Sequence, residues 1–180
     1  MDAPWDLTVV HTADLGPRRL REVRLLLDDA FVGDVDDTDL DHALGGLHVL
    51  ARLDGALVGH AALVQRSLVA GGRPVRAGYV EAVAVAAAHR RRGLGSALMG
   101  VVEDLAARAH EAVFLGASDD GARLYRPRGW RVWSGPTGVV TPEGVRATPD
   151  DDGGVHVHDP AGALDVTTRL LCDWRCGDVW

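Results

Sequence analysis

Val83-Ala84-Val85-Ala86-Ala87-Ala88-His89-Arg90-Arg91-Arg92-Gly93-Leu94-Gly95-Ser96 joins an apolar strand pattern to a basic, glycine-bearing turn and then to the opening of a helix. A junction of this kind suits a pyrophosphate. The first amides of a helix have no partner within it, and the helix dipole adds partial positive charge there, so phosphate oxygens can accept from several N–H groups together. Glycines let the backbone approach, and arginines add charge.

Outward from this junction the pattern is strand and helix in alternation. Upstream, Leu7 to His11 reads as a strand, and Gly16-Pro17 opens a helix with Leu20, Val23, Leu27 and Ala30 at helical spacing. Thr38 is placed to cap a second helix over Asp39 to Leu44, which Gly45-Gly46 stops. Leu47 to Leu53 and Ala56 to Val64 form a hairpin about Asp54-Gly55, and after Gly71-Gly72 a strand runs from Val75 to Val85.

Downstream, Gly93 to Ala109 is helical with Leu94, Leu98, Val101, Leu105 and Ala109 on one face. Ala112 to Ala117 reads as a buried strand, Asp119 to Arg126 as a helix and Trp130 to Trp133 as a strand. From Ser134 the Gly, Pro, Thr and Asp content predicts a long loop holding one strand at most, and Val155 to His158 and Leu170 to Asp173 close the sheet. This order implies a mixed α/β fold, and the 180 residues imply one domain.

Composition narrows the function classes. The net charge of −7 argues against a general nucleic-acid binder and favours a cationic partner. All 19 basic residues are arginine, from which no mechanism follows. No apolar run approaches the roughly 20 residues that cross a bilayer, and MDAPWDLTVV has no basic region ahead of its apolar residues, so a cytoplasmic location is expected. Cys172 and Cys176 lack a second pair at metal-ligand spacing, and the eight histidines form no metal constellation: His156 and His158 share a strand face without a third ligand. No metal is expected.

Val83-x-Val85 followed by Arg90-x-x-Gly93-x-Gly95 resembles the acetyl-CoA motif of the GCN5-related N-acetyltransferase (GNAT) superfamily, V-x-V and then (Q/R)-x-x-G-x-(G/A). The resemblance implies a GNAT fold, a central and mostly antiparallel sheet with a splayed strand pair and helices on both faces. It implies that amides of Val83 and Val85, flanking Ala84, meet the pantetheine arm of acetyl-CoA. The turn of Arg90, Arg91, Arg92, Gly93, Leu94, Gly95 and Ser96 would take the pyrophosphate. A second mark, Leu124-Tyr125-Arg126-Pro127-Arg128-Gly129-Trp130, resembles the superfamily's LYxxxGF with tryptophan for phenylalanine. Tyr125 is then a candidate general acid for the departing thiolate, or else a tyrosine packed between helix and strand.

Within the superfamily the chain is similar to the actinobacterial aminoglycoside 2'-N-acetyltransferases. The similar segments run from VHTADL (Val10 to Leu15) through LGGLH (Leu44 to His48), GYVEAVAV (Gly78 to Val85), GPT (Gly135 to Thr137) and TPDDDG (Thr148 to Gly153) to the tail CDWRCGDVW (Cys172 to Trp180). Aminoglycosides are polycations. The resemblance implies substrate contacts at Asp34, Asp39, Glu81, Ala82, Gly116, Asp151, Asp152, Asp178 and the terminal carboxylate of Trp180, with Glu81, Tyr125 and Trp180 catalytic, and it implies a homodimer. Each acidic position also has a plain reading: Asp34 to Asp41 as helix capping, Asp150 to Asp152 as a solvated turn, the last residues as a frayed end. Glu81 shares a strand face with Val83 and is either a base acting through water or an ionic anchor. Two rival functions stay open, acetylation of another amine (a peptide, polyamine or cell-wall sugar) and a noncatalytic acetyl-CoA or aminoglycoside binding module.

Overall fold

The computed structural model describes residues 4–31, 35–117 and 119–180. The chain runs β1 (Asp6–His11), α1 (Thr12–Ala30), α2 (Asp37–His42), β2 (Leu47–Leu53), β3 (Ala56–Ala70), β4 (Arg73–Val85), α3 (Leu94–Ala109), β5 (Ala112–Gly116), α4 (Asp119–Tyr125), β6 (Arg131–Val132), β7 (Thr137–Thr141), β8 (Gly144–Ala147), β9 (Val155–His158) and β10 (Leu170–Asp173). Short 3-10 turns lie at Ala87–His89, Arg126–Arg128 and Pro149–Asp151. The backbone divides into two compact units, Met1–Val64 with Val80–Leu105, and Gln65–Tyr79 with Ala106–Trp180.

In the first unit β1 and β2 pair antiparallel, and β2 pairs antiparallel with the first part of β3. Asp54 (φ 50°) and Gly55 (φ 83°) form the two-residue turn that joins them, as their side chains predict. α1 begins a turn earlier than the sequence pattern suggests, because His11 Nδ1 accepts the Ala13 N–H and opens a short helical segment before Gly16. Gly16 (φ 69°, ψ 162°) breaks it, and Pro17 opens the longer helix at the expected place. Leu15, Val23, Leu26 and Leu27 of α1 bury against Leu50 and Ala84, a core that comes from the i, i+4 spacing along the helix. α2 starts two residues earlier than expected: Asp36, not Thr38, is the cap, accepting the Thr38 and Asp39 N–H groups. The Thr38 hydroxyl donates to the same Asp36 oxygen, so the threonine supports the cap from the first turn instead of forming it.

The second unit has the strand order β6-β9-β5-β4-β3-β10-β7-β8. β4 and β5 run parallel, β5 and β9 antiparallel, β3 and β10 antiparallel, and β10 and β7 parallel. The β4–β5 ladder ends at Tyr79↔Phe114, while β4 itself continues to Val85. Phe114 and Trp133 are fully buried with ring centroids 6.1 Å apart, and Trp133 Nε1 donates to Thr168 O.

Two expectations need correction here. The segment after Ser134 holds a hairpin, β7 and β8, rather than one strand; the fully exposed face pattern of β8 gives no apolar alternation to detect. β3 also continues past Val64 to Ala70, because Arg66, whose charge interrupts the apolar run, is itself buried.

Candidate active site

In the first unit, the end of β4 carries one extra residue. Counting from the two-residue turn at Gly71-Gly72, Val58 would face Val85, yet its carbonyl receives the Ala86 N–H. Ala82, at φ 52°, is where the backbone takes up the bulge. Glu81, Ala82, Val83 and Val85 are half-buried, whereas the Ala84 side chain is in the core. The half-buried residues lie around the bulged end of β4, beyond the last rung of its ladder with β5 at Tyr79.

The turn that follows is held by its own first arginine. Arg90 Nε donates to Val85 O at 3.1 Å and its Nη2 to Ala30 O at 2.7 Å, so this guanidinium fastens the turn to β4 and to the end of α1. Arg91 (φ 61°) and Gly93 (φ 87°) then bring the chain round to α3, whose first bond runs from Ala97 N–H to Gly93 O. The Leu94 side chain is buried, and together with Leu98 it packs where a Cβ on Gly59 would meet their methyl groups at 3.1 to 3.2 Å. Only the main chain of Leu94 is therefore available to a ligand. Arg91, Arg92 and Ser96 are exposed beside the first-turn amides. This arrangement of amides, left-handed backbone and free guanidinium groups fits a pyrophosphate.

In the second unit a cavity of about 350 Å³ is lined by Gly116, Ala117, Asp150, Asp151, Gly154, Val155, Asp178 and Trp180. Three aspartates line it. Burial raises the Asp151 carboxyl above its ordinary value, and the negative charge of Asp178 adds to the effect, with Asp150 and Asp152 contributing after Thr148 donates in the opposite sense. A site that holds carboxylates against one another favours a ligand bearing several positive charges.

The tail that supplies Asp178 and Trp180 is tied down from beneath. Arg66 donates from Nε to Asp173 Oδ1 and from Nη2 to Asp173 O, both at 3.0 Å, and from Nη1 to Val179 O at 2.8 Å, while its guanidinium lies 4.8 Å from the centre of the Tyr79 ring. Arg175 donates to Asp178 O and Trp180 O, and Trp180 Nε1 donates to Thr148 Oγ1 at 2.9 Å. A Cβ on Gly116 would sit 3.4 Å from the Trp180 main-chain carbon, in ordinary contact, so the end of the tail packs directly over this glycine. Burial pushes the Cys172 thiol up to about 11, and it remains protonated at neutral pH.

Tyr125 is buried, with the Trp130 ring at 5.7 Å and the His156 ring at 6.4 Å. Burial pushes its phenol up to about 12, which keeps the proton in place.

The acidic residues implied by the resemblance fall into separate groups. Asp151 and Asp178 line the cavity, and Trp180 and Gly116 line it with them. Asp152 does not: its Oδ1 accepts the Thr137 N–H at 2.8 Å, which braces the start of β7. Asp39 completes the capping box of α2, accepting the Asp36 N–H at 2.9 Å. Asp34 lies outside the described residues. Asp150 also lines the cavity; in the sequence, three successive aspartates carry no sign of which ones a 3-10 turn after Pro149 brings to it.

Comparison with known proteins adds to this geometry. A family model described as an acetyltransferase (GNAT) domain matches residues 18–133. An aminoglycoside 2'-N-acetyltransferase of Mycolicibacterium fortuitum is 46% identical over 176 residues, covering 96% of this chain and 90% of that protein. The crystal structure of YhbS from Escherichia coli, a GNAT family N-acetyltransferase in complex with CoA, superposes with a TM-score of 0.66 at 17% identity, over 96% of this chain and 91% of its own. Eis1 from Mycobacterium abscessus superposes with a TM-score of 0.59 at 26% identity over 74% of this chain, which spans only 33% of Eis1.

Proposed function

Because the chain belongs to the GNAT acetyltransferase family, we propose that it transfers the acetyl group of acetyl-CoA to the 2'-amine of an aminoglycoside, and so confers resistance to such drugs. The observation that carries this reading beyond the family is the cavity faced by Asp150, Asp151 and Asp178, whose mutual repulsion a polycationic amine relieves. The 46% identity to an enzyme named for that reaction supports the same acceptor.

The reaction needs four things from the chain. The exposed Arg91 and Arg92 and the first-turn amides of α3 would hold the pyrophosphate, with Gly93 and Gly95 allowing close approach. The amides of Val83 and Val85 would face the pantetheine arm and the thioester carbonyl, where a donor matters most as negative charge develops on oxygen. Glu81 would take the proton lost by the attacking amine, directly or through water, or anchor the ammonium form. Tyr125, which burial keeps protonated, would give its proton to the thiolate as the C–S bond breaks. Attack is direct, in a ternary complex, so positioning supplies much of the rate. We further propose that residues 1–180 act as one domain, as a homodimer in the cytoplasm; no described helix is long and apolar enough to cross a membrane.

A carboxylate-lined cavity also suits another polyamine, which is the second reading. Thiol release from acetyl-CoA separates the two. Turnover with tobramycin, which carries a 2'-amine, and none with kanamycin A, which carries a hydroxyl there, is the expected result; equal turnover of both, or turnover of spermidine alone, overturns the 2' assignment. In the same assay Glu81→Gln flattens the acidic limb of the pH–rate profile if Glu81 is the base, and raises only the acceptor KM if it is an anchor.

A further inference from the structure

Two histidines that no part of the proposed chemistry uses lie fully buried in the first unit, on neighbouring strands: His48 on β2 and His60 on β3. They belong to a continuous line of hydrogen bonds. Thr12 Oγ1 is 2.8 Å from His48 Nε2, His48 Nδ1 is 2.9 Å from His60 Nε2, and His60 Nδ1 is 2.8 Å from the carbonyl oxygen of Ala82. The line ends on the bulge residue of β4, between Glu81 and Val83.

The direction of every proton in this line follows from its last member. A carbonyl oxygen only accepts, so His60 must carry its proton on Nδ1. Its Nε2 then accepts, which requires the proton of His48 on Nδ1. His48 Nε2 accepts in turn, so the one proton of the Thr12 hydroxyl goes to it at 2.8 Å in preference to Gly46 O at 3.2 Å. Burial pushes both imidazoles down to about 4, so each is neutral at physiological pH and holds a single ring proton.

The carbonyl of Ala82 and the N–H of Val83 are two ends of one peptide group. The described backbone contains no cis peptide bond, so the two point in opposite directions. A donor that fixes the Ala82 oxygen toward β3 therefore fixes the Val83 N–H away from β3. A bulge residue at φ 52° costs free energy and would relax if nothing held it.

We infer that His60, oriented by His48 and Thr12, is a positioning residue that pins the Ala82–Val83 peptide plane and thereby aims the Val83 N–H at the reacting carbonyl. This role rests on the acetyl-transfer reading. It differs from a packing role because it depends on one N–H at one atom, which asparagine can supply from nearly the same place as Nδ1 and leucine cannot.

The test compares His60→Leu with His60→Asn. Losing an aimed donor to a developing oxyanion costs about 100-fold or more, and a loosened one about 10-fold. His60→Leu is expected to lower kcat by about 10-fold or more relative to His60→Asn, with KM for acetyl-CoA within about 2-fold of wild type in both. Thr12→Val, at the half-buried end of the line, covers the case in which His60→Leu does not fold, with an expected loss in kcat of about 3-fold. A readout independent of turnover is the long-range 1H–15N spectrum of the imidazoles, which is expected to show both histidines as neutral Nδ1–H tautomers. An Nε2–H tautomer at His60, equal kcat for the Leu and Asn variants, or a loss confined to acetyl-CoA KM overturns the positioning role. A wild type that releases no thiol with any amine removes the underlying reading instead, a result distinct from all of these.

Discussion

The end of β4 with its turn into α3, and the acidic cavity beside the tail, are built from opposite materials. The first offers a ligand mainly backbone, with its side chains used to hold that backbone still: Arg90 on Val85 O and Ala30 O, His60 on Ala82 O, Leu94 in the core. The second offers side chains, brought from the Pro149–Asp151 turn and from the tail, and held by Arg66 and Arg175. A cofactor common to a large family can be met by amides, which any sequence possesses. An acceptor particular to one branch is met by carboxylates, which substitution can change one at a time.

That contrast is sharpest in what single substitutions do. Tyr125→Phe removes one oxygen, and as the proposed acid it is expected to lower kcat about 100-fold while leaving the affinity for acetyl-CoA nearly unchanged. Val83→Ala or Val85→Ala leaves every amide in place, and each is expected to lower kcat by less than about 3-fold. Steady-state kinetics on the three variants checks the difference. Near-normal turnover in Tyr125→Phe removes the acid role, and a large loss in Val83→Ala breaks the claim that backbone alone serves at β4.

The two regions also respond to acid with opposite sign. Burial pushes His48 and His60 from an ordinary 6.5 down to about 4 in the folded protein, so between those values the unfolded chain binds more protons and stability drops as the pH is lowered. Their contribution is complete above 6.5. From pH 7 to pH 5 the loss is about 2 kcal/mol for each histidine, to which His110, lowered by burial, adds in the same direction. The carboxyls held low by their partners, such as Glu22 beside Arg52 and Glu111 beside Arg73, act only below the ordinary carboxylate range and leave this window to the histidines. Asp151 runs the other way: its folded value is raised, so it favours the folded state as the pH drops through that value. Urea unfolding at pH 7, 6 and 5 measures the first effect, and a flat profile contradicts the buried neutral pair.

How much of this was legible in the sequence follows the same division. The junction from Val83 to Ser96, the turn at Asp54-Gly55 and the start of the long helix at Pro17 are local signals, and the structure has each where the residues put it. The signals that failed depend on distant partners. Arg66 looks like the end of a strand until Asp173 and Val179 surround it, and β8 has no buried face to betray it. His48 and His60 stand 12 residues apart with nothing in either neighbourhood to join them; only the pairing of β2 with β3 brings the rings within a hydrogen bond. Resemblance and not spacing points to the acidic cavity, and it names Asp152, which braces β7, while passing over Asp150, which lines the wall.

The adjacent aspartates give the finest test of what resemblance can and cannot assign. Asp151 faces the cavity with its charge opposed by burial and by Asp178, whereas Asp152 spends an oxygen on the Thr137 N–H. Asp151→Asn is therefore expected to weaken acceptor binding about 10-fold, the loss of one charge-assisted contact, and to raise the thermal midpoint by about a degree because the repulsion from Asp178 and the neighbouring aspartates is relieved. Asp152→Ala should do the reverse, costing about 1 kcal/mol of stability through the lost brace while changing acceptor affinity by less than about 2-fold. Calorimetric titration with tobramycin and thermal unfolding of both variants measure the four quantities. If the two substitutions weaken acceptor binding equally, Asp152 turns toward the ligand when it arrives, and the division between cavity wall and brace does not hold in the bound state.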